Sequence, residues 1–129
     1  SLLDLDVLGV VDGDTLRIKG PSHYSERIWS VRQKRNLMKK APLNWIVARN
    51  RLSPFKNKNK QMMEGLLSAL SERIHFKVAG SITDRVVFRE LFLKGLTMMD
   101  LRENGLHMPL SMSSIAARQE VRSLANSVF

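Results

Sequence analysis

A chain of 129 residues, 43 % apolar and 26 % charged, has the composition of one ordinary globular domain and is long enough to bury a sizeable core. It has no cysteine, which excludes a disulfide scaffold and any thiolate metal site, no apolar run near the ~20 residues that span a bilayer, and no signal-peptide pattern at its start. The formal charge is +9 and it is concentrated: Arg27 to Lys60 holds eleven Lys or Arg and no Asp or Glu, against ten basic and twelve acidic residues elsewhere.

The chain opens Ser1-Leu2-Leu3-Asp4-Leu5-Asp6 without an initiator Met and reads as taken from a longer protein. Leu2 to Val10 fits a short helix or an alternating strand, since periodicity does not separate them at this length. Asp12-Gly13-Asp14 and Lys19-Gly20-Pro21 are turn signals, with a short extended segment at Thr15–Lys19 between them. Ser22 or Ser25 can cap a helix from Tyr24 to about Lys39, which Ala41-Pro42 closes. That helix carries Arg27, Arg32, Lys34, Arg35, Lys39 and Lys40.

Leu43 to Ala48 is a compact apolar run that suits a buried parallel strand. Asn59 to Ile74 has Met63, Leu66, Leu67, Leu70 and Ile74 at helical spacing on one face. His75 to Ala79 is a second short strand. Ser81 or Thr83 can cap a helix from Asp84 to about Lys94, with Gly95 at its left-handed C-terminal position. Leu96 to Leu101 is a short apolar segment, Asn104-Gly105 and Pro109 mark a loop, and Ser113 or Ser114 starts a last helix with Ala117, Val121 and Leu124 inside. Strands alternating with helices predict βαβ units and a parallel sheet.

The sequence has no Gly-x-x-x-x-Gly-Lys-Ser/Thr phosphate loop, no Gly-x-Gly-x-x-Gly, no His-Glu-x-x-His and no Gly-x-Ser-x-Gly. His23, His75 and His107 are far apart and read as structural or solvated rather than as metal ligands. The pairs Asp4/Asp6 and Asp12/Asp14 read as caps and turn formers. No self-sufficient catalytic site is legible. Asn50 stands where the Leu43–Ala48 strand should end, the edge at which open α/β sheets bind ligands. Its amide offers one acceptor and two donors in a plane, which matches an adenine edge; the plainer reading of the residue by itself is an Asn that satisfies backbone groups after a strand. The basic Arg27–Lys60 region suits a polyanion, either nucleic acid or an anionic lipid surface, or is a solvated face.

Several stretches resemble MipZ-like members of the ParA/MinD group of ATPases. These are Leu43-Asn44-Trp45-Ile46-Val47-Ala48-Arg49-Asn50-Arg51-Leu52, Asp84-Arg85-Val86-Val87-Phe88-Arg89-Glu90-Leu91-Phe92 and Lys94-Gly95-Leu96-Thr97. Asp4–Gly9, Ser22-His23-Tyr24-Ser25 and Ala116-Ala117-Arg118-Gln119-Glu120-Val121-Arg122 extend the likeness in the same order over nearly all 129 residues. The resemblance implies the C-terminal portion of a deviant Walker ATPase: a partial P-loop NTPase fold with a short parallel sheet flanked by helices. In that family the phosphate loop, the Mg²⁺ ligands and Walker B lie upstream of the segment matched here, so ATP and Mg²⁺ belong to the full-length parent and this chain alone should not hydrolyse ATP.

The resemblance further implies ATP-dependent dimerisation, DNA binding without sequence preference, and regulation of division-site placement and chromosome partitioning through ParB and FtsZ in the bacterial cytoplasm, on the nucleoid and without a membrane partner. It puts Asn50 at the adenine and Lys58 and Arg85 at basic positions used on DNA. Two further such positions are Met62 and Thr83 here, a departure that Lys56 and Lys60 are placed to offset. Loss of a sheet neighbour should leave the strand beginning at Leu43 an open edge and favour self-association. A stand-alone basic α/β nucleic-acid-binding module and a non-catalytic protein-interaction domain are the competing readings.

Overall fold

The structure is a computed structural model and describes residues 2–55, 58–102 and 111–129. Lys56, His107 and the loop expected at Asn104-Gly105 and Pro109 lie outside the described residues. In chain order the elements are α1 (Leu2–Leu5), β1 (Gly9–Val11), β2 (Ile18–Pro21), α2 (His23–Leu37), β3 (Ile46–Val47), α3 (Lys58–Ile74), β4 (Lys77–Val78), α4 (Val86–Leu93), a 3₁₀ turn (Asp100–Arg102) and α5 (Met112–Val128). No described helix is long and apolar enough to cross a membrane. The chain divides into two compact units, one of Ser1–Trp45 with Lys56–Val78 and one of Ile46–Phe55 with Ala79–Phe129.

In the first unit the leading segment resolves into both of its alternatives, a one-turn helix and then a strand. β1 and β2 form an antiparallel hairpin with an irregularity between Val10 and Val11. Asp12 makes the turn: its Oδ1 accepts the N–H of Asp14 at 3.0 Å and of Thr15 at 2.9 Å, while Oδ2 meets Lys19 Nζ at 2.8 Å. Ser22 caps α2 by accepting the N–H of Ser25, and the Ser22 and Ser25 hydroxyls donate to the carbonyls of Val7 and Leu8. Polar side chains thus pin the start of α2 to the segment before β1.

The core of this unit is Leu5, Leu8, Leu67, Leu70 and Phe76. α3 supplies it with the face predicted by its spacing, with Leu70 fully buried. Gly9 is needed there, because a Cβ would stand 2.5 Å from Leu70 Cδ2 and 3.2 Å from the Gly20 carbonyl. Arg32 of α2 ties off the end of α3: Nη1 donates to the Ile74 carbonyl at 3.0 Å and Nη2 to that of His75, satisfying acceptors that a helix terminus leaves open. Its guanidinium lies 5.6 Å from the centre of the Trp45 ring, which also packs against Tyr24 and Phe76.

The second unit is built on a parallel pairing of residues 47–52 with 79–84. Ala79 N–H donates to Val47 O at 2.9 Å, Ile82 N–H to Arg49 O at 2.9 Å, Leu52 N–H to Ile82 O at 3.0 Å and Asp84 N–H to Leu52 O at 2.8 Å. The expected parallel pairing is present, but the regular strand within Leu43–Ala48 is only Ile46–Val47. The core is Val87, Leu91, Met98 and Ala117, with Phe88, Leu96, Leu101 and Val121 packed on it.

Two caps differ from expectation. α4 is capped at Arg85 with no side-chain hydrogen bond, and Thr83 is engaged elsewhere. α5 is capped by Ser111, whose side chain accepts the Ser114 N–H at 3.1 Å, so Ser113 and Ser114 lie inside the helix. Gly95 follows α4 at φ 67°, the left-handed position read from the sequence.

Candidate functional site

The site begins with a defect in the parallel pairing. In a regular parallel ladder the N–H and C=O of one residue bond to the two residues flanking a single partner. Ile82 bonds to Arg49 and Leu52, so two residues, Asn50 and Arg51, occupy the space of one. This is a β-bulge, a device that re-aims side chains. Arg51 takes φ 55°, a region that non-glycine residues seldom adopt. Its N–H, displaced from the ladder, donates to Asn50 Oδ1 at 2.9 Å. Both side chains are exposed, and no other hydrogen bond engages the Asn50 amide among the described residues. Asn50 therefore does the local backbone work expected of an Asn after a strand while keeping its NH₂ group and one lone pair available.

Asn50 and Arg51 form one side of a crevice of about 700 Å³ within the second unit. Thr83 and Arg85 line it from the returning segment, and Phe88 and Phe92 from α4. Its size is that of a small-molecule site, with apolar walls and a few polar groups. The rim carries more positive than negative charge: Arg89 is paired with Asp84 at 3.5 Å, whereas Arg51 has no ion pair among the described residues.

One carboxylate holds the Thr83–Arg85 wall. Glu120 of α5 accepts the Thr83 N–H at 3.0 Å, the Thr83 hydroxyl at 2.8 Å and Arg85 Nη2 at 2.8 Å. Partial burial pushes the Glu120 carboxyl up, but the hydrogen bonds from Arg85 and Thr83 and the charge of Arg85 outweigh it and hold the group below its ordinary value. Arg85 Nη1 lies 3.4 Å from the Ser113 hydroxyl, and Arg85 Nε is buried with no partner among the described residues.

The basic positions read from the sequence are distributed over both units. Lys58 is exposed at the first residue of α3. Lys60 is half-buried and makes an interaction of its own. No acidic residue stands in this first turn, so both lysines add to the positive pole of the helix rather than offsetting it. Arg85 belongs to the second unit and is ion-paired, and Lys56 lies outside the described residues.

Sequence reasoning missed Phe88 as part of the crevice and Glu120 as the residue that holds its Thr83–Arg85 wall. A signal for Glu120 was present, since 120 falls at inner-face spacing with Ala117, Val121 and Leu124, where a carboxylate demands a partner. Among the described residues no three acidic or His side chains gather to take a metal ion. The crevice offers an Asn amide beside aromatic side chains, groups of the kind a flat heterocyclic base would use, and the sequence holds no phosphate loop.

A family model described as ATPase MipZ matches residues 1–128 of the chain. No curated protein matches it.

Proposed function

The chain belongs to the MipZ family of ATPases, a family linked to regulation of cell division, and on that footing we propose that it is the C-terminal portion of a ParA-type ATPase domain that recognises the adenine of ATP. The observation that carries this reading is the bulge at Asn50–Arg51, which fixes an amide with its NH₂ and one lone pair available at the mouth of an apolar crevice. The Asn50 NH₂ would donate to a ring nitrogen and its oxygen accept from the N6 amino group, with Phe88 beside the ring. Bound ATP with Mg²⁺ would supply the triphosphate and the charge compensation that phosphoryl transfer needs; the residues described here position the base.

The same reading makes the protein a partial P-loop NTPase fold whose ATP-bound form dimerises, binds DNA without sequence preference, and acts with ParB and FtsZ on division-site placement and chromosome partitioning. It places the protein in the bacterial cytoplasm, on the nucleoid. The exposed Lys58 at the positive end of α3 supports DNA contact, with Lys56 and Lys60 near it in sequence. Arg85 would contribute only by exchanging Glu120 for a phosphate.

The test is equilibrium binding of fluorescent ATP and GTP analogues to the ATPase that carries this chain, with and without Asn50→Ala. The expected result is roughly tenfold weaker ATP binding and a smaller preference for ATP over GTP, as for loss of a bidentate contact. Unchanged affinity and preference would remove Asn50 from the site.

A further inference from the structure

The first unit holds a second cavity, of about 520 Å³, that the nucleotide reading leaves unused. The β1–β2 hairpin contributes Ile18 and Pro21, α2 contributes Trp29, and the last turns of α3 contribute Leu70 and Ile74, with Trp45 as a further wall. Its size and apolar lining are those of a small-molecule site. Trp29 stands at the cavity 61 % exposed, one of several large apolar side chains left in solvent but the one whose indole lines this cavity, whereas Trp45 is committed to Arg32, Tyr24 and Phe76. A large indole left in water beside an apolar cavity is a flat surface awaiting a partner.

The polar groups around this cavity specify charge. Arg32 and Arg73 line it, against one carboxylate, Glu26. Glu26 lies in the first turn of α2, where the helix dipole already favours it, and 3.4 Å from His23 Nδ1. Arg32 gives both terminal nitrogens to the carbonyls of Ile74 and His75. Arg73 is exposed and makes a single hydrogen bond among the described residues, from Nη1 to the Ile18 carbonyl at 2.9 Å, which leaves most of its five donors for a ligand. We propose that this cavity binds a flat aromatic anion, its ring body against Trp29 and its carboxylate or sulfonate on Arg73. The inference does not depend on the adenine reading, since every residue it uses belongs to the first unit.

The probe is 8-anilinonaphthalene-1-sulfonate, titrated into the 129-residue chain and followed by dye emission and tryptophan quenching. Saturable binding of one dye per chain is expected. Trp29→Ala should weaken it about tenfold, on the scale of one lost aromatic contact. Arg73→Gln should weaken the sulfonate about tenfold, on the scale of one lost charge-assisted hydrogen bond, and leave the neutral analogue N-phenyl-1-naphthylamine unchanged. Circular dichroism checks that each variant is folded. Phe55→Ser removes an exposed ring of the other unit that lines neither crevice, and should leave binding unchanged. Loss of dye binding in Phe55→Ser, parent-like binding in Trp29→Ala, or equal weakening of both dyes by Arg73→Gln would each overturn the proposal.

Discussion

Glu120 and Arg85 meet at 2.8 Å with each side chain only about one-fifth exposed (22 % and 21 %), and the same carboxylate holds both the N–H and the hydroxyl of Thr83. One residue of α5 thereby fixes two residues of the crevice wall. Removing it strands a partly buried guanidinium whose Nε already has no partner among the described residues.

Glu120→Ala is expected to destabilise the chain by about 2 kcal/mol, between the values for exposed and buried ion pairs. Urea denaturation measures it. Arg85→Ala combined with Glu120→Ala should lose less than the sum of the single changes, because the two share one interaction.

The pH dependence of that pair has a fixed sign. The folded-state pKa of Glu120 lies below its ordinary value of 4.5, so its contribution is fully present above the unfolded pKa and disappears as pH falls through the folded one. The stability gap between the parent and Glu120→Gln should therefore be constant near neutrality and narrow on acidification below pH 4.5. A gap that stays constant into the acid range would show that the carboxylate charge is not what holds Thr83 and Arg85.

Arg32→Lys keeps the charge but gives up the planar fork that reaches the Ile74 and His75 carbonyls together while lying over Trp45. A loss of about 1–2 kcal/mol is expected in chemical denaturation. Trp45 emission should shift as its cation neighbour moves.

Gly9→Ala and Gly20→Ala form a matched pair. At Gly9 the new methyl meets Leu70 and the Gly20 carbonyl, and overpacking of this kind costs about 1–3 kcal/mol. At Gly20 nothing lies within 4 Å, and the change should be nearly neutral. Equal effects in thermal unfolding would contradict the packing described here.

If Lys58 contacts phosphate, Lys58→Ala should reduce the slope of log affinity for DNA against log salt by about one, equally for unrelated sequences. An unchanged slope would take Lys58 out of the interface.

Much of the fold was legible because its signals are local. Ser22 caps α2 as its type and position predict, α3 buries Leu67 and Leu70 of the predicted stripe, and Gly95 adopts the left-handed conformation expected after a helix. The two cap errors had different origins, a distant partner at Thr83 and a choice among neighbouring serines at the start of α5. Thr83 is a good N-cap by type, yet its hydroxyl is taken by Glu120 from a separation of 37 residues. Ser111, Ser113 and Ser114 are equivalent as sequence, and Ser111 becomes the cap while Ser114 is buried inside the helix.

Of the crevice residues, Asn50 alone was singled out from the sequence for a nucleotide, and the bulge that places it exists only through hydrogen bonds to Ile82, which no periodicity announces.

The left-handed Arg51 gives the bulge a kinetic meaning as well. Such a backbone conformation has little hold on an isolated segment and becomes favoured once Ile82 has bonded on both sides of it. Since α3 and β4 lie between those partners in the chain, the segment bearing Asn50 should be among the last to acquire protection from hydrogen exchange during refolding, well after the β1–β2 hairpin, whose partners are close neighbours in sequence.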